Sequence, residues 1–514
     1  MISKERAVRF LKDYYAVAFL VLLVIAGAIY FRLAFVDSIW LDETSYIWHG
    51  QLLHQDPSFI LDVGFYHLPY SLVALYDFFF SSFIAGRLMG LTFGLGGIIL
   101  VFLIGRRLRN SFVGLVAALL LAFNVWYMFL SLKALVDVAI SVMILLFAYL
   151  LYLTERERKW WQVALLAVVG GLTLTTKASG VFVIPLTMIY LAITYLLFTT
   201  NKKEQLVRVM HWIRTTKGRV IAGVGVIGIV VVVFLFRRII DFLFGISLAW
   251  VRNFSFRFIW PIFEQLPTLV GWLGIMIGVV AILFAVVYRT KEAIVITLTP
   301  ILFLVLAIFF SGRVPELRYM LPIVPPVFIM VGYVTDETIR IISMFIKEKA
   351  AHIQATLRII ILIVLFFAIV EPEYSIATQN IEMRNYFYRG YIEAMNWVSE
   401  NVPATDEHYI SNFFACCGYN VGLESDKVLR VNSTATFDAY EDFTAFLERE
   451  PNMTVYLMPD MWETGQRSWL YPMTQEKFDT ITSLGFQPVY VVERPYPTNE
   501  GLRNISVIFI FRKN

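Results

Sequence analysis

The chain has 514 residues, 59% of them hydrophobic and 16% charged, with a mean hydropathy of +0.69. That charge content is well below the roughly 25% of soluble proteins, and apolar runs of about 17–25 residues recur, so the composition excludes a water-soluble globule and implies a polytopic α-helical membrane protein. The net charge of +4 hides an asymmetry, with 20 Asp/Glu against 11 Lys/Arg in residues 371–514; the basic excess lies in residues 1–370 without the interleaved aromatics of a nucleic-acid face.

Lys4, Arg6, Arg9 and Lys12 precede the first apolar run, Tyr14 to Val36. Positive flanks stay cytoplasmic, so this span is expected to exit outward, with a cytoplasmic N-terminus in the cell membrane. Ala26-Gly27-Ala28 offers a small-residue cleavage site, but the run continues apolar beyond it, which favours a retained helix over a signal peptide. The outer loop that follows, within residues 37–82, holds Asp37, Asp42, Glu43, Asp56 and Asp62 and no Lys or Arg up to Tyr66. His67-Leu68-Pro69 opens a segment too short to span, read as a juxtamembrane helix on the outer surface.

Ten further spans are expected: Phe83–Ile104, Phe112–Leu130, Val138–Leu153, Trp161–Thr176, Val181–Phe198, Val220–Phe236, Leu269–Tyr288, Ala293–Phe310, Met320–Val334 and Arg358–Val370. This gives about eleven transmembrane helices. The intervening basic turns, such as Arg106 to Arg109 and Arg340 to Lys349, fall inside, as the positive-inside rule requires. Residues 1–370 therefore form the membrane domain, and residues 371–514 an extracytoplasmic C-terminal α/β domain on the side of Asp42. Its helical patterns are Tyr386–Asn401, Phe437–Glu450 and Thr474–Leu484. Its strand patterns are His408–Ser411, Val428–Val431, Thr454–Met458, Pro488–Val492 and Ser506–Phe511. Asn253, Asn432, Asn452 and Asn504 begin Asn-x-Ser/Thr triplets, all on the expected outer side. Cys416 and Cys417 are the only cysteines and are adjacent, which excludes a disulfide framework and a Cys-based zinc site.

Two adjacent carboxylates beside hydrocarbon need solvation or a use. Asp42 and Glu43 are either solvated loop acids or a catalytic pair. Three other outer-face segments carry unusual charge: Ser131 to Asp137, in which Lys133 and Asp137 share a face if helical; Thr175 to Gly180, with Lys177; and Gly312 to Tyr319, with Arg313 and Arg318. Each alone reads as a capped or snorkelling helix end. Together they assemble a carboxylate that takes a proton and cations that hold a departing phosphate. His49, His54 and His67 share the acidic loop. They read as interfacial or hydrogen-bonded side chains, or with Asp42, Glu43 or Asp137 as ligands of a divalent metal, which the sequence allows but does not require.

In this order the segments resemble the GT-C superfamily of integral-membrane glycosyltransferases, close in pattern to the protein O-mannosyltransferases and lipid A aminoarabinose transferases. Asp42-Glu43 resembles the Asp-Glu motif of the first outer loop. His67-Leu68-Pro69 resembles a His-Pro-Pro-Leu signature with Leu68 for one proline. Ser131 to Asp137 resembles a Ser-Arg-x-x-Leu-x-Asp segment with Lys133 where Arg is usual. Leu174 to Phe182 resembles a Thr-Lys-x-x-Gly-Leu-Phe segment, and Arg318-Tyr319 with its trailing prolines an Arg-Tyr-x-x-Pro motif. The likeness covers residues 15–335.

The resemblance implies sugar transfer from a polyprenyl-phosphate donor to a hydroxyl of a protein, lipid or glycan acceptor, with inversion. Asp42 would be the general base and Glu43 would position the acceptor or orient Asp42. Lys133, Lys177, Arg313, Arg318 and Tyr319 would receive the donor phosphate, with Asp137 and His67 in support. The Trp-Trp-Asp-Tyr-Gly motif of oligosaccharyltransferases is missing; Trp160-Trp161 is followed by Gln162. A transporter or flippase, or a non-catalytic glycan-assembly subunit, is the alternative.

Overall fold

The computed structural model describes residues 13–36, 41–61, 66–157, 159–198, 259–288, 299–301, 317–345, 350–401, 408–411, 440–449, 451–452, 454–457, 459, 473–498 and 501–513. Arg313, Cys416, Cys417, Asn253, Asn432, the expected span Val220–Phe236, nearly all of the span Ala293–Phe310 and the strand Val428–Val431 lie outside these residues. The chain divides into two compact units. The first comprises Met1–Arg32, Asp56–Ser71 and Met89–Ala377; the second comprises Leu33–Gln55, Leu72–Leu88 and Thr378–Asn514.

Long apolar helices build the first unit. In chain order the described helices are α1 (Tyr14–Val36), α2 (Leu41–Gln55), α3 (His67–Asp77), α4 (Ser82–Leu108), α5 (Ser111–Phe123), α6 (Val125–Ser131), α7 (Val136–Glu157), α8 (Trp160–Leu174), α9 (Val183–Phe198), α10 (Ile259–Tyr288), α11 (Val324–Met344), α12 (Ala350–Leu365) and α13 (Glu371–Asn401). Among the described residues, five helices are long and apolar enough to cross a membrane: Tyr14–Phe35, Phe83–Leu108, Val136–Glu157, Arg318–Met344 and His352–Ile381. The pair α5 and α6 makes a sixth if counted as one span. The expected total of about eleven is not reached among these residues. The 15 residues of α8 rise about 22 Å, short of a hydrocarbon core of roughly 30 Å.

The single span expected over Phe112–Leu130 is instead two helices bent by 68°. The cause is Asn124. Its extended backbone ends α5, its side-chain oxygen accepts from Tyr127 N at 3.0 Å and so caps α6, and its amide donates to Leu269 O at 2.7 Å. Leu269 lies beside Gly271, whose φ of 71° interrupts α10 in a region only glycine enters freely. The helical register expected for Lys133 and Asp137 is also replaced. Residues 132–134 form a turn, and α7 starts only at Val136.

α1 belongs to the packed bundle. Phe19 stacks on Phe102 with ring centroids 3.8 Å apart, and the Tyr30 hydroxyl donates to Ala122 O at 2.7 Å. α4 approaches the α6 segment through one face of glycines. A Cβ on Gly90 would lie 2.1 Å from Lys133 O, one on Gly94 2.5 Å from Ser131 Cβ, and one on Gly97 1.9 Å from the Tyr127 hydroxyl. Tyr127 donates to Gly94 O at 2.9 Å, and Ser131 donates back to Tyr127 O at 2.6 Å.

The second unit contains a four-stranded mixed sheet of β1 (His408–Ser411), β2 (Thr454–Leu457), β3 (Gln487–Thr498) and β4 (Gly501–Lys513), in the order β1-β2-β4-β3. β1 and β2 are parallel, and the β2–β4 and β4–β3 pairs are antiparallel. Helices α14 (Tyr440–Arg449) and α15 (Gln475–Ser483) supply Phe443 and Ile481 to a core with Val455, Leu457, Phe486 and Phe511. Thr474 caps α15 by accepting from Lys477 N at 3.3 Å. No break marks residue 371. The helical course runs from α12 through a π turn into α13.

The acidic stretch is itself folded. Residues 41–55 form α2, with Asp42 and Glu43 in its first turn, where carboxylates favour the positive end of the helix.

The glycine face generates a test. Gly90→Ala pushes a methyl into the Lys133 carbonyl and is expected to destabilise by about 1–3 kcal/mol. Gly96 meets nothing within 4 Å, so Gly96→Ala is expected to be neutral or to stabilise by roughly 0.5–1 kcal/mol. Thermal unfolding of the two variants in detergent checks the contrast.

Candidate active site

Asp42 and Glu43 share one turn. Asp42 lies on the first turn of α2. Glu43 is fully buried and meets an equally buried Arg87 of α4. Arg87 Nε lies 3.0 Å from Glu43 Oε1, and Nη2 donates to Oε2 at 3.0 Å. The guanidinium also lies 5.0 Å from the Phe83 ring centroid. One charge-assisted hydrogen bond and a second close charge contact fix the distance between the two groups. Sequence reasoning missed Arg87. The available signal was a lone arginine near the start of an apolar span, facing an acidic loop.

The same part of the second unit holds α2 by two further contacts. His54 Nδ1 lies 2.7 Å from Asp77 Oδ2, and its ring is 4.1 Å from that of Phe78. Gly50 admits Val73, whose Cγ1 would be 2.3 Å from a Cβ there. His54 is thus engaged by a carboxylate, and His49 packs edge-on against Trp48 at 4.8 Å. Burial pushes the His67 imidazole below its usual pKa, opposed by a backbone hydrogen bond involving Ile60. Among the described residues, no three His, Cys, Asp or Glu side chains are grouped to hold a metal.

In the first unit, three sequence-remote segments converge. α8 ends at Leu174, and the hydroxyls of Thr173, Thr175 and Thr176 turn back to bond Val169 O and Leu172 O. Lys177 follows in extended conformation, and Gly180 N donates to its carbonyl at 2.7 Å. Gly180 must be glycine, because a Cβ would lie 2.0 Å from Thr173 O. This turn aims the Lys177 ammonium at Asp137, the second residue of α7, at 2.5 Å. Asp137 therefore pairs with Lys177, where the sequence spacing had joined it to Lys133.

The third segment is the 3₁₀ turn Leu317–Ile323 before α11. Ser141 of α7 donates to Leu321 O at 3.4 Å and fixes it. Two cations thereby lie close to the Tyr319 ring. Lys177 Nζ is 4.4 Å and Arg318 Cζ 5.1 Å from its ring centroid, and Arg318 Nη2 reaches its hydroxyl at 3.3 Å. Tyr319 remains 41% exposed. The His67-Leu68-Pro69 segment joins this cluster, since Leu68 N donates to Thr175 O at 3.3 Å. Lys133 is buried, with its ammonium 4.8 Å from the Phe129 ring. A partly exposed pair of cations beside one carboxylate and one phenol suits a phosphate better than a neutral ligand.

Removing one partner of the Glu43–Arg87 pair strands a buried charge. Arg87→Met is expected to destabilise by about 3–5 kcal/mol, and the double variant Glu43→Gln/Arg87→Met to recover most of that loss. Thermal unfolding of both variants measures it; an Arg87→Met protein as stable as the parent would contradict the pair's role.

The model of the dolichyl-phosphate-mannose-protein mannosyltransferase family matches residues 68–217. No curated protein sequence matches the chain. Among solved structures, ArnT from Cupriavidus metallidurans in the apo state is 14% identical, with a TM-score of 0.54 over 96% of this chain and 98% of that one. The same protein bound to undecaprenyl phosphate gives 13% identity and a TM-score of 0.53 over the same shares. The oligosaccharyltransferase AglB from Archaeoglobus fulgidus, in complex with an inhibitory peptide and a dolichol-phosphate, is 13% identical, with a TM-score of 0.54 over 97% of this chain and 74% of that one. The chain shares the fold of these membrane glycosyltransferases and, over residues 68–217, the sequence pattern of the dolichyl-phosphate-mannose-protein mannosyltransferases.

Proposed function

We propose that the chain is a membrane glycosyltransferase that moves a sugar from a polyprenyl-phosphate donor to an acceptor hydroxyl on the outer face, with inversion. The carrying observation is the convergence of Lys177, Asp137, Arg318 and Tyr319 from three remote segments into one partly exposed cationic cluster. ArnT was solved with undecaprenyl phosphate and AglB with a dolichol-phosphate. Both ligands present a phosphate on an isoprenoid chain, and that chemistry fits the cluster.

In this reading the Asp42 carboxylate takes the proton of the acceptor hydroxyl. The oxygen attacks the sugar's anomeric carbon from the face opposite the phosphate. The bond from that carbon to the phosphate oxygen breaks, and the electron pair leaves with the polyprenyl phosphate. One displacement inverts the centre. Lys177 and Arg318 stabilise the departing anion, where charge develops most. Asp137 holds Lys177 in place, and Tyr319 holds both cations through its ring. Lys133 adds a buried point charge. Glu43, clamped by Arg87, fixes the turn that carries Asp42. A divalent ion is not needed for these steps.

Asp42→Asn is expected to lower transfer by about 10²–10⁴ while the protein stays folded in the membrane. Release of polyprenyl phosphate from a panel of labelled polyprenyl-phosphate sugars is the readout, and undiminished turnover in the variant would remove the base. Arg318→Ala is expected to raise the donor KM more than the acceptor KM. An equal rise in both would reduce Arg318 to a structural role.

A further inference from the structure

At the other end of the first unit, the starts of α1 and α5 and the middle of α12 enclose a cavity of about 290 Å³. Asp13, Arg106, Asn110, Ser111 and Arg358 line it together with the rings of Tyr15 and Phe112. This is the end of the bundle that carries the basic turns. We propose that this cavity binds the headgroup phosphate of an anionic phospholipid in the leaflet on that side.

The charges favour an anion. Arg106, Arg109, Arg340 and Arg358 face Asp13, Asp336 and Glu337 across this end. Arg358 donates from Nε and Nη2 to Asp336 Oδ1 at 3.1 and 2.6 Å, while its guanidinium carbon lies 5.3 Å from the Phe112 ring and 6.0 Å from that of Tyr15. Arg109 spends its charge on Asp336 and Glu337, and Arg340 pairs with Glu337. Arg106 Nη2 is 3.6 Å from Asp13 Oδ2, and its side chain is 33% exposed. Asp13 also accepts from the Ser111 hydroxyl and from Ala16 N. A phosphate entering here meets Arg106 and Arg358 together, beside the Asp13 carboxylate.

The surroundings favour a lipid over a free anion. Directly after Arg358, α12 exposes Ile359, Ile360, Ile363 and Val364 at 55%, 47%, 51% and 55%. Acyl chains lying along these side chains leave their phosphate level with the arginine. Basic pockets between helices on the positive side of a membrane bind anionic headgroups in this way.

The test uses the full chain, purified in neutral detergent and stripped of lipid. Phosphatidylglycerol, phosphatidylcholine and inorganic phosphate are added separately, and retention is read by native mass spectrometry and thermal shift. Phosphatidylglycerol is expected to bind and stabilise, and the other two are not. Arg106→Gln is expected to weaken phosphatidylglycerol by about fivefold. Arg107→Gln, whose guanidinium pairs with Glu157 instead, is expected to leave it unchanged. Asp13→Asn removes the competing carboxylate, keeps both arginines and is expected to tighten phosphatidylglycerol, which holds the proposal to account if Arg106→Gln fails to fold. Equal binding of phosphatidylcholine, equal stabilisation by inorganic phosphate, equal losses in Arg106→Gln and Arg107→Gln, or no tightening in Asp13→Asn would each overturn it.

Discussion

A buried ion pair is a demanding thing to build. Each ion leaves water at a cost of several kcal/mol, and the attraction between them offsets this only when geometry is close to ideal. Glu43 and Arg87 approach to 3.0 Å at two nitrogens, one of them hydrogen-bonded, with no solvent exposure on either side chain. The pair therefore tolerates little relative motion of the start of α2 against the start of α4. Asp42 is the neighbour of Glu43 on that first turn, so the constraint passes directly to its backbone. The His54–Asp77 contact and the close approach of Gly50 to Val73 hold the far end of α2 to α3.

The first unit uses a different means to the same end. Its glycines let backbones approach to distances that any side chain would forbid. Gly90, Gly94 and Gly97 bring α4 against residues 127–133, and Gly180 brings the Lys177 turn against the end of α8. Small residues at helix contacts are the usual substitute for a hydrophobic driving force inside lipid. Here they have a second consequence, because the turns they fix carry Lys133 and Lys177. Tyr319 then holds Lys177 and Arg318 at one ring, which keeps two like charges near each other at little cost.

Much of this was legible from the sequence, for identifiable reasons. The apolar runs of α1, α4 and α7 are long and unbroken, so periodicity and length sufficed. Strands β1 and β2 and helices α14 and α15 followed from short β-rich runs alternating with helical patterns. The motif residues Lys177, Asp137, Arg318 and Tyr319 were singled out, and they do assemble. What the sequence hid was pairing. Lys133 and Asp137 have the spacing of a helical ion pair, yet a turn intervenes and Asp137 takes a partner forty positions away. Arg87 looked like part of a span because one charge barely changes a hydrophobic window. Asn124 was absorbed into an apolar run for the same reason, though a lone Asn there marks a helix end with a built-in cap.

The two helix breaks bear on the choice between a transferase and a carrier. In many transporters, discontinuous helices leave backbone groups free to coordinate substrate or ion near the midplane. At the breaks near Asn124 and Gly271, three backbone groups are already taken by side chains. The carbonyl of Leu269 accepts from the Asn124 amide, and Val125 N donates at 2.8 Å to the Glu373 carboxylate. Tyr127 N is satisfied by the Asn124 side chain. Side chains of the fold therefore occupy groups that a carrier would reserve for cargo. The partly exposed charges of the Lys177 cluster instead sit at helix ends and turns, where the proposed donor phosphate would be held. Breaks closed by their own side chains, with charge concentrated at a helix-end turn, suit a bundle that holds still around a reacting headgroup better than one that rocks to pass it across.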